Sequence, residues 1–244
     1  MIENGSQDGP IGEFFESIQV RSTDRGLVME ALRRTMHSMG FQPVDPAELP
    51  PFEGPIQEEI EVEARRFFVG PPLNGWVPLY PSSDLPEQLA AAQRISEETH
   101  APTLLLNLHN GDVFYYWLFQ EGRLADQYDS SPDYFGEPRS TEELEAVRGH
   151  PERLEAILPA GVTADELQAV LTQTFAEDEM QDPDPDELIL WGDEQFAEFT
   201  RLLGIPNAAH SYADAKTVGL EGFVEQAQDF VELAFAPPLR NGGS

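Results

Sequence analysis

The chain has 244 residues and a formal net charge of −31, because 45 acidic side chains stand against 14 basic ones and Lys216 is the only lysine. It has no cysteine, which excludes disulfides, thiolate catalysis and cysteine metal sites. So few basic residues argue against direct nucleic-acid binding, and the lack of a basic leader or an apolar run near ~20 residues predicts a cytoplasmic protein without membrane contact.

One α+β domain is predicted between two tails. Residues 1–22 are predicted to be a disordered N-terminal tail and residues 236–244 a disordered C-terminal tail, because the chain ends are rich in Gly, Ser, Asn or Pro and lack periodicity. The domain over 23–235 divides into a sheet-containing part (23–139) and a helical part (140–235). The helical part includes an acidic, proline-broken loop over 176–187.

Helix and hairpin patterns alternate in the first half of the chain. A cap at Thr23 or Asp24 and apolar residues at helical spacing predict a helix that ends at Gly40. Alternation from Ile60 to Val69, followed by a Gly/Pro break, predicts a hairpin with Trp76–Tyr80, whose Pro78 favours a sheet edge. The capping box of Asp84 and Glu87 predicts a second helix that ends before Pro102.

A three-stranded meander is predicted over Thr103–Ser131. Asn110-Gly111 and Glu121-Gly122 are typical two-residue hairpin turns. With Asn110-Gly111 as the whole loop, Leu108 faces Val113 and Leu104 faces Trp117. The predicted core face is then Leu104, Leu106, Leu108, Val113, Tyr115, Trp117 and Phe119.

The remainder of the chain is predicted to be mainly helical. Ser140 with Glu143 and Thr163 with Glu166 form capping boxes, and helical spacing recurs over 194–203 and 220–234. The element order therefore predicts an α+β fold: a mainly antiparallel sheet, built from a hairpin and the meander, with helices packed on one face and a helical C-terminal part.

Polar side chains collect at one end of the meander. Carrying the register through the second turn brings Asn107, His109, Asp112, Asp129 and Ser131 together. Histidine between carboxylates suits general base catalysis or, with them, divalent metal binding, so the candidate catalytic residues are His109, Asp112 and Asp129. The simpler interpretation is a solvated sheet end, and neither a metal nor a cofactor is expected.

Aromatic residues on both faces of the middle strand indicate that helices or a partner cover both faces. The first functional hypothesis is a non-catalytic interaction or regulatory protein that binds another protein, of basic character, through Phe114, Tyr116 and Asn107. A metal-assisted hydrolase centred on the 107–131 hairpin end is the alternative, and an acidic nucleic-acid mimic is a further one. The sequence leaves the oligomeric state open.

The charge predicts a dependence of stability on salt. Repulsion among the carboxylates opposes folding, and salt shortens its range from about 10 Å at 0.1 M to about 3 Å at 1 M. Adaptation to a salty cytosol explains this composition and the scarcity of lysine, which GC-rich coding explains equally well. We expect the melting temperature to rise substantially between about 0.05 M and about 2 M monovalent salt. A melting temperature that stays flat over this range would contradict the salt-adaptation interpretation.

Overall fold

The computed structural model describes residues 15–49, 64–82, 85–134, 139–172, 192–206, 208, 212 and 229–237. Its centre is an eight-stranded antiparallel sheet with the strand order β2-β8-β3-β4-β1-β5-β6-β7. The strands are β1 (Phe15–Val20), β2 (Gln42–Val44), β3 (Arg65–Val69), β4 (Val77–Pro81), β5 (Thr103–His109), β6 (Val113–Gln120), β7 (Arg123–Asp129) and β8 (Val231–Ala236). The predicted α+β class with an antiparallel sheet is confirmed.

Helices cover both faces of this sheet. The described helices are α1 (Arg25–Ser38), α2 (Leu85–Thr99), α3 (Thr141–Val147), α4 (Ala164–Leu171) and α5 (Gly192–Leu202). Helices α1 and α2 pack on one face, around Ile18, Leu79 and Leu105. The predicted helical part supplies α4 and α5, which pack on the other face around Leu106 and Tyr116. Helix α3 lies against the edge strand β7.

Two strands correct the prediction for the ends of the chain. Residues 15–20, expected in a disordered tail over 1–22, form β1 between β4 and β5, and Ile18 and Val20 are fully buried. Strand β8 replaces the end of the helix predicted over 220–234. The spacing of its apolar residues is compatible with a helix and with a strand. Hydrogen-bonded pairing with β2 and β3 stabilises the strand. The loop over 176–187 and the tail ends 1–14 and 238–244 lie outside the described residues.

Local signals located the other elements well. Asp24 caps α1, its side chain accepting a hydrogen bond from the backbone nitrogen of Leu27 at 3.0 Å, and both capping boxes of α3 and α4 form. Strands β3 and β4 form the predicted hairpin over the described residues, while residues 60–63 of the predicted first strand lie outside them. Strand β4 is an interior strand, so the edge position expected for Pro78 is wrong. Pro78 lies opposite Gly70, just beyond the end of β3: its carbonyl oxygen accepts from the backbone nitrogen of Gly70 at 2.9 Å, and its missing N–H removes one bond at the end of the β3–β4 ladder only.

The register of the meander differs from the prediction by one residue at β6. The first turn has three residues, Asn110 to Asp112, so His109 pairs with Val113 and Leu108 with Phe114. Asn110 and Gly111 have positive φ values of 57° and 76°, as at the centre of a type I′ turn, and the backbone nitrogen of Asp112 donates to the carbonyl oxygen of His109 at 3.0 Å. Asp112 is therefore one extra residue between this turn and β6. The second turn is the predicted Glu121-Gly122, but a bulge follows it, so that Asp129 pairs with Tyr115.

The shift at the first turn and the shift at the bulge cancel, so β7 keeps its predicted alignment with β5. Strand β6 lies between the two shifts, so its side chains project on the faces opposite to those predicted. Phe114, Tyr116 and Leu118 share a face with Leu104, Leu106 and Leu108 of β5 and are fully buried beneath α4 and α5. Tyr115 and Trp117 lie on the opposite face, where each is only partly buried. The expected core positions of Tyr115 and Trp117 are therefore wrong, because side chains alternate with a period of two along a strand.

This register predicts a contrast between adjacent aromatic residues. Phe114→Ala should lower the free energy of unfolding by about 3–5 kcal/mol, because it leaves a cavity in the core. The ring of Phe114 is surrounded by those of Tyr116, Tyr128, Phe196 and Phe199. Tyr115→Ala should cost clearly less, as measured by urea denaturation. A Tyr115 variant as destabilised as the Phe114 variant would support the register predicted from the two-residue turn.

Candidate functional site

Four polar side chains form a line across one end of the sheet, on the face that carries α1 and α2. Glu16 of β1 pairs with Asn107 of β5, Asn107 pairs with Tyr115 of β6, and Tyr115 pairs with Asp129 of β7. Directly paired residues project on the same side of a sheet. We call these four residues the polar row. The structure thus places Asn107 and Asp129 in line, as predicted, although the residue between them is not the one expected.

At one end of the polar row, the carboxylate of Glu16 is held by hydrogen bonds. Glu16 accepts hydrogen bonds from Asn107 Nδ2 at 3.0 Å and from Gln88 Nε2 of α2 at 2.8 Å. Asn107 and Gln88 are both buried. Because buried polar groups are costly unless they are paired, these bonds fix β1, β5 and α2 to one another.

Asp129 occupies the other end of the polar row. Its Oδ2 lies 3.0 Å from Nη2 of Arg139, and its Oδ1 accepts a hydrogen bond from the backbone nitrogen of Ser131 at 3.0 Å. Burial nevertheless raises the pKa of Asp129, outweighing the Arg139 charge. Burial, with the nearby Asp129 carboxylate, also raises the pKa of Tyr115 to about 12. Tyr115 therefore stays protonated at neutral pH.

The predicted catalytic residues are held by separate contacts. Asp112 lies in the turn, where its Oδ2 accepts hydrogen bonds from Asn110 Nδ2 at 3.0 Å and Tyr134 Oη at 3.1 Å. The ring of His109 meets that of Tyr134 edge to face, with centroids 6.0 Å apart. Within the described ranges no three His, Asp or Glu side chains form a group that could hold a metal ion. His109, Asp112 and Asp129 therefore do not converge on one.

The residues predicted to contact a partner divide between core and polar row. Phe114 and Tyr116 are fully buried between the sheet and α5, so in this fold neither side chain presents a surface to a partner. Asn107 is 8% exposed and belongs to the polar row. The reversal of the β6 faces explains the error, since it moves the even-numbered aromatic residues inward.

An open cleft lies on the outer side of β7, next to α3. Its volume is about 440 Å³. It is lined by Leu124, Ala125, Asp126, Gln127, Glu142, Glu145, Ala146, His150 and Arg153. We call it the β7–α3 cleft. Among the described residues, three carboxylates and one guanidinium contribute to its lining, and no hydroxyl or thiol side chain does.

A buried carboxylate forms the floor of the cleft. The side chain of Asp126 is completely buried and accepts a hydrogen bond from Tyr116 Oη at 2.6 Å. It also accepts one from the backbone nitrogen of His150 at 2.9 Å, and its Oδ1 lies 3.0 Å from Nδ1 of that ring. A carboxylate only accepts hydrogen bonds, so a hydrogen bond between this carboxylate and the ring requires the tautomer with the proton on Nδ1. The other ring nitrogen, Nε2, lies 3.8 Å from Oε1 of Glu145.

Gly149 makes this contact between β7 and His150 possible. Its φ is +72°, and a Cβ built there would lie 2.8 Å from Tyr116 Oη and 2.9 Å from Leu171 Cδ1. Its backbone nitrogen donates to the carbonyl oxygen of Gln127 at 3.1 Å. A side chain would therefore push the segment away from the strand and separate His150 from Asp126.

The Asp126–His150 pair was not predicted from the sequence. One signal was present, because the alternation along β7 places Asp126 on the same side as Tyr128, which is 2% exposed. A carboxylate on a core face requires a donor from elsewhere in the chain. The sequence does not indicate that the donor for Asp126 is His150 and not one of the other four histidines.

The comparisons with known proteins add no family. The chain matches no protein-family model, no curated protein and no solved structure. None of the described helices is both long enough and apolar enough to cross a membrane.

The raised pKa of Asp129 predicts how the stability of the protein changes with pH. Its folded pKa lies above the usual 3.8, so its contribution to stability is greatest when it is protonated and declines as the pH rises through the folded value. Asp129→Asn cannot ionise. We therefore expect the stability of this variant relative to the wild type to increase from about pH 3 to about pH 6, measured by urea denaturation at each pH. A relative stability that falls over this range would contradict the burial argument.

Proposed function

We propose that this chain is a non-catalytic, acidic protein of the cytosol that binds another protein, and that α3 and the β7–α3 cleft form the binding surface. The observation that carries the proposal is that none of the residues of α3 is buried. A helix that adds no side chain to the core does little for the stability of the fold. Its exposed surface suits an intermolecular contact.

The composition of this surface supports a binding role. Helix α3 contains three glutamates and no basic residue. Leu124 and Leu144, with 49% and 37% of their surface exposed, are two of the four large apolar residues exposed in the described part of the chain. Leu124 lines the cleft and Leu144 lies on α3. Exposed apolar side chains with a charged rim are typical of protein interfaces.

The chemistry of the cleft favours binding over catalysis. The Asp126–His150 pair resembles the acid–base half of a catalytic triad, in which a carboxylate orients an imidazole. A covalent mechanism also needs a nucleophile within about 3 Å of the base, but none of the described residues that line this cleft carries a hydroxyl or thiol. The pair does have a structural effect, since it connects the edge strand to the segment after α3.

Blocking the cleft tests this proposal. Ala146 is exposed on the cleft side of α3, so Ala146→Trp should fill the cleft and abolish capture of the partner. Ala169, exposed on α4, offers a matched control in Ala169→Trp. We expect affinity capture from the native cytosol at native salt, followed by mass spectrometry, to recover a protein with the wild type and the control but not with Ala146→Trp.

The captured protein is then purified and its binding measured by calorimetry against the same three forms. Stoichiometric binding that only Ala146→Trp loses would support the proposal. If a nucleic-acid-binding protein is captured, the function is mimicry of nucleic acid. Equal recovery with both tryptophan variants would exclude the cleft as the binding surface.

A further inference from the structure

We infer that the occupant of the β7–α3 cleft is a cationic segment of the partner protein, whose arginine or lysine side chains enter the cleft beside Glu142 and Glu145. This inference rests on the proposed function and adds the chemistry of the partner. Three features support it: the charges of the lining residues, the apolar walls of the cleft, and the hydrogen bonds that the outer edge of β7 already makes.

The charge that faces the cleft opening is negative. Arg153 carries the only guanidinium among the lining residues that the structure describes, and its Nη1 contacts the wall, 3.2 Å from the carbonyl oxygen of Ala125 and 3.4 Å from Asp126 Oδ1. It therefore compensates the buried Asp126 and leaves Glu142 and Glu145 to define the opening.

The existing partner of Glu145 is weakly held. Its Oε1 lies 2.9 Å from Nε of Arg148, but the two side chains are 59% and 58% exposed. Exposed ion pairs of this kind contribute roughly 0–1 kcal/mol, so a cation from a binding partner can share or replace the contact.

The walls suit a long cationic side chain. Leu124, Ala125 and Ala146 supply apolar surface next to the glutamates. Arginine and lysine bury their alkyl portions on such surface while the charged group stays at the polar rim. The cleft volume of about 440 Å³ is that of a site for individual side chains or a short segment.

The strand edge argues against a partner that binds by adding a strand along the cleft. The outward carbonyl oxygen of Gln127 accepts from Gly149 at 3.1 Å, and that of Ala125 accepts from Arg153. Strand addition requires these groups to be unpaired. Recognition must therefore come from side chains that enter the cleft.

The field of the whole chain acts in the same direction. A net charge of −31 attracts cations and repels anions at long range, which raises the association rate of a basic partner. This field alone gives no specificity, so the test must separate it from the local carboxylates.

A labelled peptide of alternating arginine and alanine serves as the probe, and the same peptide with glutamine for arginine is its neutral control. Fluorescence anisotropy at about 0.1 M salt should show binding of the arginine peptide only. Glu142→Gln with Glu145→Gln should weaken this binding at least about tenfold. Glu152→Gln with Glu155→Gln removes the same charge from two exposed positions outside the cleft and should change the binding less than about twofold.

Equal weakening in the two double variants would overturn the inference, because binding would then follow net charge alone. Failure of the arginine peptide to bind would overturn it as well. Melting temperatures of both variants check that each is folded. The proposed function can survive either failure: a partner that Ala146→Trp loses but that presents no basic segment would keep the binding surface and reject its cationic occupant.

Discussion

The three-residue turn at Asn110–Asp112 is the constraint on which the rest of the structure depends. It sets the pairing of β6 with β5, and a shift of one residue would exchange every side chain of β6 between the two faces of the sheet. In the observed pairing Phe114 and Tyr116 project toward α5, where their rings pack against Phe199 with centroids 5.1 and 4.8 Å away. The aromatic core beneath α4 and α5 exists because of this turn.

The same alternation gives β7 two different polar environments. Asp126 projects to the side of the aromatic core, where it accepts hydrogen bonds from Tyr116 and His150, whereas Asp129 projects to the opposite side and pairs with Arg139. A buried carboxylate is stable only when its oxygens are satisfied, so each aspartate fixes a different segment against the edge strand. These contacts protect β7, which would otherwise present an unpaired edge to solvent.

Carboxylates inside the fold and carboxylates on its surface have different environments. Among the described residues the carboxylates within the fold have assigned donors: Gln88 and Asn107 for Glu16, Arg139 for Asp129. The glutamates of α3 face solvent instead, on a helix without buried side chains. A net charge of −31 repels acidic molecules and attracts basic ones at long range. The β7–α3 cleft is where exposed carboxylates adjoin apolar walls.

The sequence by itself determined the class of fold, the meander, the caps of α1, α3 and α4, and the alignment of Asn107 with Asp129. These depend on contacts between near neighbours and on side-chain periodicity, which a sequence displays directly. Only the tertiary structure decided that residues 15–20 form a central strand, that β8 is a strand, that β6 is shifted by one residue and that His150 meets Asp126. The two strands at the chain ends and the Asp126–His150 contact depend on pairings between distant segments, and the free energy of such a pairing is not written in either segment alone. The shift of β6 depends on whether two or three residues form its turn, and this choice is coupled to the packing of Phe114 and Tyr116 against α5.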